Sequence, residues 1–103
     1  MSETKNEVKK PLEIVFKKPY VFEGETYEKL DLSKLEDMTG KDYVKIEKML
    51  RMAGVTTLNP ETTPEGVYMY ASQAAGLPVE FFENLPLKET KKIKAAVVNF
   101  LWS

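Results

Sequence analysis

The chain has 103 residues, enough for one domain. Hydrophobic residues make up 43% and charged residues 30%, with a net charge of −1, which is a globular composition without a general attraction to nucleic acid or anionic lipid. There is no cysteine and no histidine, which excludes disulfides, thiolate nucleophiles, serine–histidine triads and zinc sites built on those ligands.

Residues 1–10 are polar and mixed in charge, Val8 apart. They lack the apolar run of a signal peptide, and no stretch reaches membrane-spanning length. They read as a flexible tail ahead of a single α+β domain over residues 11–103. Leu12 to Phe16 is β-branched and aromatic and favours strand. Lys17-Lys18-Pro19 interrupts it, because proline cannot donate to a ladder; it suits an edge, a bulge or the start of a new strand. A β-hairpin follows over residues 20–32, turning at Glu23-Gly24-Glu25, where Gly24 can take positive φ. The returning strand carries Tyr27, then Leu30 and Leu32 after a one-residue slip that suits a bulge.

Thr39 and Asp42 form a capping-box-like pair at the start of the next helix. Tyr43, Ile46, Leu50 and Ala53 share its apolar face, and Gly54 ends it. Val55 to Thr62 is a loop. Thr63-Pro64-Glu65 restarts a helix with a capping hydroxyl, proline at the first position and an acid. Val67, Tyr70, Ala71 and Ala74 form its inner face, and Gly76 stops it. The segment Gly76 to Pro86 is bracketed by Pro78 and Pro86 and is dense in apolar residues, so it reads as a buried corner with a short helix at Val79–Asn84. The last helix, from about Lys88 to Leu101, carries Ile93, Ala96, Val97, Phe100 and Leu101 as one stripe. The fold class is therefore α+β, a small N-terminal β-hairpin followed by three to four helices.

Few groups could carry chemistry. Glu36, Asp37 and Asp42 cluster in sequence, as do Glu80 and Glu83, but nothing marks a cleft across which two carboxylates would work. No glycine-rich loop precedes a helix, and no calcium loop is present. Lys88, Lys91, Lys92 and Lys94 load the start of the last helix, where the helix dipole disfavours cations; they read either as a solvated face or as a contact for an acidic partner. Neither an enzyme nor a cofactor is indicated. Tyr68, Met69, Phe81, Phe82, Phe100 and Trp102 concentrate aromatic and methionine content in the C-terminal part of the chain. They are core residues on one reading and a partner-binding surface on the other.

Four stretches are similar to the tail assembly chaperones of long-tailed bacteriophages and prophages. These are Lys18–Tyr27, Asp31–Asp42, Ala74–Pro86 and Asn99–Leu101. Their order carries the resemblance, together with Gly76-Leu77-Pro78, Phe81-Phe82 and Asn84-Leu85-Pro86. The resemblance brings no catalytic motif. It implies a non-enzymatic protein of the host bacterial cytoplasm, absent from the mature virion. Such a protein binds the tape measure protein and keeps it soluble while the tail tube assembles. It also implies a longer product made by frameshifting near the end of the gene. Competing readings are a structural tail or head–tail joining subunit retained in the virion, and a small nucleic-acid-binding regulator suggested by Lys88–Lys94. On the chaperone reading Tyr68, Met69, Phe81, Phe82, Phe100 and Trp102 are the candidate partner-binding residues, with homo-oligomers covering the same apolar surface and no nucleic acid or membrane as partner.

Overall fold

In the computed structural model, which describes residues 12–57 and 62–102, an antiparallel hairpin is followed by a short 3₁₀ turn and four helices. The expected N-terminal tail and part of the 55–62 loop lie outside the described residues. The strands are β1 (Glu13–Phe22) and β2 (Glu25–Asp31). The 3₁₀ turn is Ser33–Asp37, and the helices are α1 (Gly40–Met52), α2 (Pro64–Ala75), α3 (Val79–Glu83) and α4 (Leu87–Trp102).

The hairpin is longer than residues 20–32. Lys17-Lys18-Pro19 does not end the first strand but bulges out of it. Val15 pairs with Lys29 and Tyr20 with Tyr27, so residues 16–19 face the single residue Glu28. The slip on the returning strand is also present: Glu28 and Lys29 both point outward between inward Tyr27 and Leu30. The strand continues through the bulge because distant side chains hold its backbone. The Lys17 amide donates to Glu89 Oε2 at 2.8 Å, and Lys92 Nζ donates to the Val15 carbonyl at 3.0 Å. Proline's missing donor therefore costs nothing here, since the ladder is already open at that point. The tip is a two-residue loop with φ of 50° at Glu23 and 82° at Gly24, matching the twist of the strands.

Local chemistry explains the helix boundaries. Asp42 Oδ2 accepts the Thr39 amide at 2.9 Å at the start of α1. Thr63 Oγ1 accepts the Gly66 amide at 3.1 Å at the start of α2, with Pro64 in the first helical position. Gly76 closes α2 at φ 70°. Helix α4 begins at Leu87, and α3 ends at Glu83 with Asn84 as its cap.

One core joins these elements. Leu12, Ile14, Phe16 and Leu30 from the hairpin meet Val67, Tyr70, Ala71 and Ala74 of α2, and Ile93 and Val97 of α4. Helix α2 lies at the centre, packed against α1, α3, α4, the 3₁₀ turn and β2. Its alanines let these neighbours approach. The α1 face is narrower than its spacing suggests: Ile46 and Leu50 are buried, but Tyr43 and Ala53 are exposed. They flank the part of the helix that meets the core.

The proline-bracketed corner is the joint between hairpin and helices. Phe81 is 0% exposed, and its ring meets Tyr20, Phe22, Tyr27 and Phe82 edge-on at centroid distances of 5.0, 5.3, 4.9 and 5.0 Å. The Tyr20 hydroxyl donates to the Phe81 carbonyl at 2.8 Å. Aromatic quadrupoles favour these edge-to-face contacts.

Candidate functional site

The six aromatic and methionine residues singled out above do not form one surface. Phe81 and Phe82 are both 0% exposed and belong to the core, so they face no partner in the folded chain. Tyr68 and Met69 on α2 are half-buried, and Tyr68 stacks on Phe82 at 6.4 Å. Phe100 is half-buried on the last turns of α4. Trp102 is 60% exposed at the end of that helix.

A cleft of 170 Å³ opens next to Phe100. Met38, Thr39 and Tyr43 form one wall, from the entry to α1; Phe100 and Leu101 form another, from α4; Tyr70 of α2 also contributes. The cap at Thr39 and Asp42 fixes where α1 starts and therefore where Tyr43 stands. The regular stripe of α4 turns Phe100 and Leu101 toward the same space. Tyr43 is 47% exposed, and Val44 beside it is also exposed. Tyr43 and Met38 were not legible as site residues, because helical spacing assigns Tyr43 to the core and nothing local marks Met38. The lining is mostly apolar, and among the described residues its one carboxylate is that of Glu36. Such a surface can bind apolar side chains of another chain.

The remaining ionisable clusters have structural positions. Asp42 caps α1, while Glu80 and Glu83 are solvent-exposed on α3. Glu89 is 4% exposed. Its Oε2 accepts the Lys17 amide, and its Oε1 faces Lys92 Nζ at 3.0 Å. Burial raises its pKa, but the Lys17 amide and the Lys92 ammonium outweigh burial and hold it below the usual carboxylate value. Lys92 is thus a strut between α4 and β1, whereas Lys88, Lys91 and Lys94 are exposed. Among the described residues no group of three or more acidic residues is placed to hold a metal ion, and no helix is long and apolar enough to cross a membrane.

A family model described as phage tail assembly chaperone proteins, E, or 41 or 14, matches residues 13–101. No curated protein and no solved structure matches the chain.

Proposed function

The chain belongs to the phage tail assembly chaperone family, and from that premise we propose that it binds the tape measure protein and keeps it soluble during tail assembly. The observation that carries this reading is the family match over residues 13–101. The apolar end of α4 supports it, because a carrier of a long helical chain needs accessible apolar surface for amphipathic segments. Trp102, Phe100, Tyr43 and the adjacent cleft provide such a surface. Tyr68 and Met69 add half-buried area on α2, whereas Phe81 and Phe82 act through the fold alone. Self-association through the same surface covers it when no partner is bound. The protein acts without catalysis, in the host cytoplasm, and leaves before the virion is complete.

The test is co-expression of the tape measure protein with the wild-type chain or with Trp102→Ala. The wild type raises the soluble yield of the tape measure protein and co-purifies with it. Trp102→Ala, folded by circular dichroism, loses most of that yield and shifts to a smaller oligomer. A folded variant with wild-type yield and oligomer size would remove Trp102 from the binding surface. Detection of the chain at stoichiometric copy number in purified virions would favour a structural tail subunit instead.

A further inference from the structure

The start of α4 runs beside the β1 bulge, and the two enclose an open groove of 650 Å³. Its apolar walls are Pro19 and Tyr20 on the bulge and Pro86 and Leu87 on the helix side, and Lys17, Lys18 and Lys88 complete the lining. The volume is within the range that accommodates large ligand groups. Leu87 is 71% exposed although it is a large apolar residue. Among the described residues Glu89 is the only acid in the lining, and its carboxylate is committed to the Lys17 amide and Lys92. The groove therefore presents ammonium groups without, among the described residues, a lining carboxylate free to neutralise them. Lys88 sits in the first turn of α4, where the helix dipole opposes it.

We propose that this groove docks a segment of a partner protein in which a large apolar side chain is flanked by carboxylates. The apolar walls select the side chain, and the lysines select the flanking charge. Nucleic acid fits less well. Among the described residues the one aromatic in the lining, Tyr20, is packed against Phe81 and held by its hydroxyl, so it offers no free platform for a base. The groove lies at the opposite end of α4 from Trp102, about 22 Å along the helix axis. It is a second docking surface, independent of the one assigned to the tape measure protein.

The test titrates the isotopically labelled full chain with a synthetic peptide of glutamates around a central pair of leucines, followed by backbone amide shifts. Saturable shifts are expected at residues 17–20 and 87–89, with affinity falling as salt rises. Replacing the peptide's leucines by serine, or its glutamates by glutamine, is expected to weaken binding roughly tenfold or more. The double variant Lys18→Glu and Lys88→Glu, and separately Leu87→Ser, are expected to weaken it to a similar degree. All three positions are exposed, so folding is retained and is checked by circular dichroism. Absence of saturable shifts, shifts centred elsewhere, or equal binding of the serine peptide would overturn the proposal. Equally tight binding of oligothymidylate would overturn it too and assign the groove to nucleic acid.

Discussion

Replacing Phe81 by alanine removes the ring on which the hairpin and the helices meet. Truncating a wholly buried phenylalanine costs about 3–5 kcal/mol through lost transfer energy and the cavity left behind. Phe81 also meets four other rings edge-on. Each such pair is worth about 0.5–1.5 kcal/mol beyond area, but the four share one ring and do not add. The expected loss is about 4–5 kcal/mol, a large part of the roughly 5–15 kcal/mol available to a domain. Phe81→Leu separates the two contributions. It keeps most of the volume and loses the ring contacts, for about 1–2 kcal/mol and a fall in Tm of about 4–16 °C. Tyr20→Phe keeps its ring and drops the hydroxyl bond to the Phe81 carbonyl, for about 1 kcal/mol. Urea titrations followed by circular dichroism measure all three. A Phe81→Ala loss below about 2 kcal/mol would refute the assignment of this ring as the joint.

Three further outcomes follow from side chains described above. Glu89→Gln keeps an acceptor for the Lys17 amide but removes the charge facing Lys92, at about 1 kcal/mol near neutral pH. Because the folded pKa is lowered, the wild-type advantage is fully present above the unfolded value, near 4.5, and is lost as pH falls through the lower folded value. Urea midpoints of the two proteins compared from about pH 7 to about pH 3 should therefore converge at the acid end, and a gap that stayed constant would contradict the argument. Glu23 holds φ at 50° without being glycine, so Glu23→Asn should stabilise the hairpin by about 0.5–1 kcal/mol; a lowered Tm would count against a strained turn. Trp102→Ala should leave stability within about 0.5 kcal/mol, as chemical denaturation can establish, so its effect on partner yield reports on the surface.

The elements set by neighbours in sequence were the legible ones. The Thr39–Asp42 pair, the Thr63-Pro64 entry and the Gly76 stop each act within four residues, and the helices begin and end on them. The buried corner was legible from its apolar density between two prolines. The continuous first strand was not, because what holds its bulge lies at Glu89 and Lys92, over seventy residues away. Glu89 itself was invisible for the same reason: its spacing on α4 is that of a solvated acid, and only the packing of α4 against β1 brings the Lys17 amide to it. The 3₁₀ turn at Ser33–Asp37 carries a single buried residue, Leu35, too little periodicity to read. For the candidate site, composition grouped Phe100 and Trp102 with Phe81 and Phe82 and could not tell which are buried. Ring chemistry is the same in a core and at a surface, and only the fold decides which is covered.

The joint at Phe81 also has a consequence for synthesis. The ring that seats the hairpin is encoded 59 positions after the strand residue Phe22 that it meets. At roughly 5–20 residues per second, translation leaves Phe22 waiting about 3–12 s for that ring, and the hairpin finished at Asp31 only slightly less. A hairpin closes in about 1–10 μs and is marginal by itself, so it opens and recloses many times in that interval. Ile14, Phe16, Tyr20 and Phe22 stay uncovered until α3 and α4 emerge. Until then the nascent hairpin itself needs shielding from other apolar surfaces.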